Sequence, residues 1–381
     1  MGVTAWATSN GSIGLALREC VQAAIAAPSI YNSQPWQFRL RDGAIEVFAD
    51  RRNLLNVIDP TGRELLMSVG AAVLNARVAM RALGRQPMLR LFPVRGEPDL
   101  VAQIRPGRFV AGSETAQSLA RAIPRRRTNR RPFTNIRVPA EVIAELAAAA
   151  RAEGAVLSMA SGRTRDALLD VVRTAQGRLR ARPGYLAELA EWTMSGGNRT
   201  DGVPPEAFGP WSAADAVPLR DLGLVQPVRR RRTMRFERSP TIVMLSTRDD
   251  GPASWVRAGQ AMERVLLTAT VRGLSNTPMT QPLEVEDLRR LVLDPARGHV
   301  AQAILRLGYG PPCPPSPRRP VEAVLRPAAG TETAGSGTAG SGTAGSGTAG
   351  SGQASGYPAT SGYATVAGAM QVPAMQVSAA R

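Results

Sequence analysis

Apolar positions define the first elements of this chain. Ile13, Leu17, Cys20, Val21 and Ala24 recur at three- and four-residue steps, which predicts a helix with one apolar stripe. Ser12 stands where it can cap the helix start, and Pro28 ends the helix by pushing Ala27 away from helical dihedrals. The period then changes to two. Residues 36–40 alternate, Asp42-Gly43 supplies a two-residue turn, and residues 45–48 alternate again, which is the pattern of a β-hairpin. A second helical pattern, capped by Ser113, runs towards residue 123; a third covers residues 142–150 and leads to a strand-like stretch at 156–160. Between Trp255 and Gly273, the residues Ala258, Met262, Val265, Leu266, Ala269 and Thr270 fall on overlapping helical steps that stop at the glycine. Residues 300–307 alternate towards Gly308-Tyr309-Gly310, consistent with a strand near the core.

The run A-P-S-I-Y-N-S-Q-P-W, residues 27–36, joins the first helix to the hairpin. Ser29, Asn32 and Gln34 place short hydrogen-bonding side chains on a backbone stiffened by Pro28 and Pro35. Two readings fit these residues: a polar turn that satisfies its own backbone, or a loop that holds a ligand. Further along, I-P-R-R-R-T-N-R-R-P-F, residues 123–133, gathers guanidinium groups around a hydroxyl. Forked donors and an O–H suit a phosphate dianion, whose oxygens take charge-assisted hydrogen bonds. A solvated arginine run after a helix is the alternative.

Taken together, these segments resemble the nitroreductase family, and A-P-S-x-x-N-x-Q-P-W resembles more specifically its actinobacterial Acg-like branch. In that family the first segment is a loop that crosses the subunit interface and packs against the FMN of the neighbouring subunit. Pro28, Ser29 and Asn32 match it, with Ile30 where a second serine is common. The second segment resembles the R-R-[ST]-x-R-x-F start of such subunits through Arg126, Arg127, Thr128, Arg130 and Phe133. The resemblance implies that Arg126, Arg127 and Thr128 serve the phosphate and ribityl chain. It places Arg130 near the pyrimidine edge, where positive charge stabilises reduced flavin. It also matches residues 274–281, L-S-N-T-P-M-T-Q, to the loop near flavin N5, so Pro278, Met279 and Thr280 join the candidate FMN residues, the contact at Thr280 being its main-chain N–H. The helix at 255–273 resembles the family's central helix. Arg318, in the P-R-R-P run at 317–320, resembles a basic motif that closes on the phosphate, although a charged surface turn fits that pair equally.

The order of these pieces is informative. A single family subunit carries the arginine motif before the A-P-S loop, whereas here it comes after. The expectation is therefore an α+β, nitroreductase-like fold of two fused halves, residues 1–112 and 113–326, forming a pseudo-dimer with one FMN site. A monomer then suffices, and oligomerisation is not required. Residues 178–238, rich in glycine and proline and carrying Trp192 and Trp211, read as a loop-rich excursion with a short helix near 185–194; in the Acg-like branch the corresponding part is a lid over the flavin.

Composition adds a boundary and several exclusions. The 381 residues are 44% hydrophobic, enough for one large core or two ordinary ones. Residues 327–381 stand apart: four T-A-G-S-G repeats and a remainder of small residues predict a disordered tail. All 47 basic residues are arginine and the formal net charge is +17. Runs at 125–127 and 229–232 would attract anions, yet no nucleic-acid recognition module accompanies them, so no nucleic-acid partner is expected. No run of eighteen apolar residues occurs and the N-terminus lacks a charged leader, so the expectation is no membrane partner and a cytoplasmic location. His299 is the only histidine, which excludes a His-rich zinc site; beside Gly298 at the start of a strand, it reads as a structural or surface residue rather than a catalyst. Cys20 and Cys313 form no C-x-x-C pair, and neither a P-loop nor a Rossmann fingerprint is present.

This poverty in acid–base side chains suits flavin chemistry, in which N5 accepts hydride and the protein supplies position and electrostatics. The resemblance implies FMN-dependent hydride transfer from NAD(P)H to a small-molecule acceptor of nitroaromatic or quinone type, with no catalytic side chain and with donor and acceptor taking turns on one flavin face. The alternative is an FMN-sequestering or storage protein, its flavin covered by the lid and turning over little or not at all.

Overall fold

The computed structural model describes residues 10–193, 199–212, 217–225, 231–292 and 298–327. The low-complexity repeats, and parts of the excursion at 194–198, 213–216 and 226–230, lie outside the described residues.

The chain opens with α1 (Asn10–Ala24), which begins two residues before Ser12 and packs through Leu17, Cys20, Val21 and Ala24 onto a buried core. The side chain of Ser12 lies outside the described residues. The hairpin follows as expected: β1 (Trp36–Arg41) pairs with β2 (Ala44–Ala49) across Asp42 and Gly43, whose φ values of 50° and 68° are those of a type I′ turn. Next come α2 (Arg63–Ala82), β3 (Arg85–Leu91) and β4 (Leu100–Phe109), which complete an antiparallel sheet of order β1-β2-β4-β3.

Ser113 caps α3 (Glu114–Ala122) by accepting the N–H of Ala116. Then follow α4 (Ala140–Arg151), β5 (Val156–Ala160), α5 (Gly162–Ala181) and α6 (Tyr185–Thr193). A short parallel pair, β6 (Trp211–Ser212) and β7 (Thr233–Met234), precedes β8 (Thr241–Thr247), α7 (Pro252–Val271), β9 (Ser275–Pro278), α8 (Glu286–Leu291), β10 (Val300–Gly308) and α9 (Val321–Val324). The second antiparallel sheet has the order β5-β8-β10-β9. Both sheets therefore share one plan: a long helix between the second and third strands in sequence, and the fourth strand inserted beside the second.

The two long helices, α2 and α7, lie backbone against backbone. A Cβ added at Gly70 would fall 2.2 Å from the Val256 carbonyl oxygen, and one added at Gly259 would fall 1.9 Å from that of Met67. Each glycine lies three residues after the residue its partner touches, so the contact is reciprocal. By composition and length α2 would suit a membrane, but it is largely buried within the protein and forms its core helix.

One expectation changes in detail. Residues 275–278 of the expected loop form a strand, because they pair with β10 from Leu305 to Gly308. Strand β10 lies in the core as expected: residues 301–308 are all buried, since it lies between β8 and β9 with both faces covered. Arg306 is accommodated there by Glu237, at 2.5 and 2.6 Å, and by the Phe133 ring 3.6 Å from its guanidinium carbon. In the excursion, Trp192 packs into a buried cluster with Tyr31, Tyr185 and Phe208, whereas Trp211 is 42% exposed beneath the Arg231 guanidinium.

Candidate functional site

The loop at 27–36 holds a backbone that few side chains tolerate. Tyr31, Asn32 and Gln34 have φ of 49°, 55° and 50°, a left-handed conformation that costs free energy at each non-glycine residue and persists only where contacts impose it. The N–H of Gln34 donates to Ser29 Oγ at 3.0 Å and closes the turn. Asn32 Nδ2 donates to the carbonyls of Gly202 (2.9 Å) and Pro317 (3.0 Å), while Oδ1 accepts from Arg318 Nη1 at 2.7 Å. Gln34 Nε2 donates to the Thr200 carbonyl at 2.8 Å, and its Oε1 accepts the N–H of Arg319 at 2.9 Å. The loop is thus tied to residues 199–203 and 316–319, and the amide of Asn32 is committed to positioning Arg318.

The arginine segment leaves α3 and runs beside β9. The N–H of Asn129 donates to the Asn276 carbonyl at 2.8 Å, and Thr277 Oγ1 donates to the Asn129 carbonyl at 2.6 Å. Where this segment faces the loop, a cavity of about 220 Å³ opens, lined by Arg126, Arg127, Arg130 and Arg318 together with the hydroxyls of Ser29, Thr128 and Ser316. Among the described residues, no carboxylate lines it.

These cations are poorly answered by the protein. Arg127 donates to the carbonyl of Arg126 (2.7 Å), Arg130 to that of Ala207 (3.0 Å) and Arg318 to that of Ala27 (3.2 Å). Among the described residues, the buried Nε atoms of Arg126 and Arg318 have no hydrogen-bond partner. Burial, reinforced by Arg126 and Arg127, presses the pKa of Arg318 down to about 9, and burial with Arg220 presses Arg130 down to about 10. Behind them Glu263 is fully buried, its Oε1 lying 3.4 Å from Arg126 Nε, and burial raises its pKa to about 7 against the pull of Arg126. A dianion in the cavity would relieve each of the arginine shifts, and forked guanidinium donors with adjacent hydroxyls are the donor set that a phosphate takes.

A second cavity of about 100 Å³ shares Pro28, Ser29, Thr128 and Arg130 with the first. Ile30, Met67, Met262 and Pro278 form its apolar walls, and Glu64, Ser68, Arg220, Thr277 and Thr280 its polar edge. Apolar faces with a few convergent polar groups suit a flat heteroaromatic ligand.

Ten of the eleven residues singled out from the sequence line one or both cavities: Pro28, Ser29, Asn32, Arg126, Arg127, Thr128, Arg130, Pro278, Thr280 and Arg318. Met279 lies elsewhere. Its side chain is buried in the core against Leu283 and Ile304, because the strand alternation of β9 turns it inward, and its N–H donates to the Ile304 carbonyl at 2.8 Å. The sequence reading missed Glu64 and Arg220. Glu64 opens α2, a helix over which no element was predicted, and Arg220 lies in the loop-rich excursion. Arg220 donates to Tyr31 Oη at 3.0 Å and to the Glu284 carboxylate, which also accepts from Thr280 Oγ1 at 2.7 Å.

Comparison with known proteins identifies the lineage. The model of the nitroreductase family matches residues 123–309. A Mycobacterium tuberculosis protein named "Putative NAD(P)H nitroreductase Rv3131" is 34% identical over 324 residues, covering 81% of this chain and 90% of that one. The chain belongs to the nitroreductase family. A second relative from that organism, named acg in the same terms, is 32% identical over 319 residues, with 81% and 94% coverage. The crystal structure of the FMN-dependent nitroreductase NfnB from Mycobacterium smegmatis, in complex with NADPH, is 17% identical with a TM-score of 0.34, covering 56% of this chain and 100% of that one. The nitroreductase match begins at the arginine segment and ends beside β10, so it contains Arg126 to Arg130 and β9 but not the loop at 27–36, Glu64 or Arg318.

Proposed function

We propose that this chain holds one FMN in the cleft and passes hydride from NAD(P)H to a nitroaromatic or quinone-like acceptor. The observation that carries this reading is the carboxylate-free arginine cavity adjoining one with apolar walls and a polar edge. Arg126, Arg127 and Arg318 take the phosphate, Thr128 and Ser29 the ribityl hydroxyls, and Arg130 the pyrimidine edge of the ring, with Pro278, Met262 and Met67 as apolar contacts. Bound FMN supplies the two-electron chemistry; the chain binds it, orients it and limits water. Arg130, held by the Ala207 carbonyl, adds a fixed positive charge beside the ring.

The same reading makes the chain two nitroreductase-like halves, 1–112 and 113–326, paired as a pseudo-dimer. The common strand order, the equivalent placement of α2 and α7, and their reciprocal glycine contact support it. The loop at 27–36 then comes from one half and the arginine segment from the other, so no second subunit is needed. We place this activity in the cytoplasm, with no nucleic-acid or membrane partner.

A second reading, storage of FMN beneath a lid, is favoured by one set of contacts. Val203 borders the arginine cavity, Ala207 engages Arg130, and Arg220 reaches over the smaller cavity to Tyr31 and Glu284. Turnover separates the two. NADPH consumption with a quinone that runs to many equivalents per flavin supports the reductase. Consumption that stops at or below one equivalent supports storage.

A further inference from the structure

Glu64 lines the smaller cavity from the first turn of α2 and is 6% exposed. Its Oε1 accepts from Arg63 Nη2 at 2.7 Å. The charges around it do not balance. Three buried carboxylates, Asp59, Glu64 and Glu284, meet two guanidinium groups, Arg63 and Arg220. Arg130, which borders both cavities, is turned to the Ala207 carbonyl, and Glu188 accepts the N–H groups of Val57 and Ile58. Tyr31 is a neutral phenol, its pKa raised by burial.

The donors are also unevenly shared. Asp59 accepts the N–H groups of Glu64 (3.1 Å) and Leu65 (2.8 Å), capping α2 where Gly62 has no side chain to do so. Glu284 accepts from Arg220 and Thr280. Among the described residues, Glu64 has a single side-chain hydrogen bond, from Arg63. A buried cluster with more acids than cations retains a proton, and the acid with the fewest donors is where it resides. Burial and the charge on Glu284 accordingly raise the pKa of Glu64 to about 8 in spite of Arg63.

We propose that the Glu64 carboxylic acid donates the proton that accompanies electron transfer to the acceptor, an inference that rests on the oxidoreductase reading above. For a quinone the balance is NAD(P)H + H⁺ + quinone → NAD(P)⁺ + hydroquinone. Hydride equivalents deliver two electrons and one hydrogen to the quinone as its carbonyl π bonds reorganise. The O–H bond of Glu64 breaks to place the second hydrogen on the remaining oxygen, and the carboxylate is reprotonated from solvent. A positioned acid of this kind accelerates proton transfer by about 10²–10⁴-fold.

The test uses FMN-loaded protein reduced anaerobically with dithionite and mixed with benzoquinone, so the acceptor step is read without nicotinamide. The expected reoxidation rate is level below about pH 8 and falls about tenfold per unit above it, as loss of one proton requires. At saturating FMN, Glu64→Gln should lose that break and slow by about 10²–10⁴-fold; Glu64→Asp should recover part of the rate with a displaced break. Infrared spectra should contain a carboxylic-acid carbonyl band at neutral pH in the parent protein that is missing in Glu64→Gln. A parent-like rate and pH break in Glu64→Gln overturns the proposal. So does a parent protein without a carboxylic-acid band titrating near pH 8, which needs no variant. If NADPH fails to reduce the flavin while dithionite-reduced protein still displays the Glu64-dependent break, the donor half of the proposed function fails and this inference stands.

Discussion

Arg318→Ala isolates the proposed phosphate contact. The Nη groups of Arg318 are taken by Asn32 and by the carbonyls of Pro317, Ala26 and Ala27, whereas its buried Nε–H has no partner and is the donor left for a ligand. A hydrogen bond to a charged group contributes about 1.5–3 kcal/mol, which corresponds to about 10- to 150-fold in affinity. Removing the side chain also frees Asn32 Oδ1, and the resulting loosening of the loop would weaken any flavin. Riboflavin, which lacks the phosphate, measures that second effect. Titrations of apoprotein by flavin fluorescence, at one ionic strength because the interaction is electrostatic, should give a loss for FMN about 10- to 100-fold greater than for riboflavin. Equal losses for the two ligands, or no loss for either, would refute the phosphate assignment.

Other expected outcomes concern the buried charges and the helix crossing. Arg126→Ala leaves Glu263 without its cation and should cost about 3–5 kcal/mol in urea unfolding, as well as weakening FMN binding; a variant as stable as the parent would contradict a real ion pair at this site. Because the folded pKa of Glu263 is raised from 4.5 to about 7, the unfolded chain loses its proton first, so stability falls as pH rises through that window and then levels. Glu263→Gln should remove this component, seen as a gain relative to the parent that grows from pH 4.5 to 7; a difference independent of pH would argue against a buried titrating acid. Gly259→Ala forces a Cβ to within 1.9 Å of the Met67 carbonyl oxygen, a backbone atom that no rotamer change relieves. Thermal unfolding should reveal a loss of at least about 1–3 kcal/mol, and an unchanged Tm would mean that α2 and α7 can separate.

Local signals in the sequence predicted the elements that position the site. Asp42-Gly43 specified the hairpin because that dipeptide tolerates two positive φ values, and Ser113 specified the start of α3 through a cap that needs no tertiary partner. The arginine segment and the A-P-S loop were legible as donor sets. Their meeting in one cavity was legible only from the order of the segments along the chain, because long-range folding rather than local pattern brings them together. Glu64 was hidden for a related reason. A carboxylate in the first turn of an apolar helix is ordinary by sequence, and its surplus of charge exists only once Asp59 and Glu284 fold against it. Ser275 to Pro278 carry weak strand propensity, so pairing with β10 decides their conformation.

The central claim is a flavin cleft that exchanges electrons with a nicotinamide. Its most direct test is the visible absorption spectrum of the FMN-reconstituted protein, recorded without oxygen before and after NADPH, with NADH as a second donor. Flavin bands at one FMN per chain should be present and bleach on addition of the donor. Bands that persist with both nicotinamides would contradict the reductase reading, and a protein that takes up no FMN at all would contradict the cleft itself.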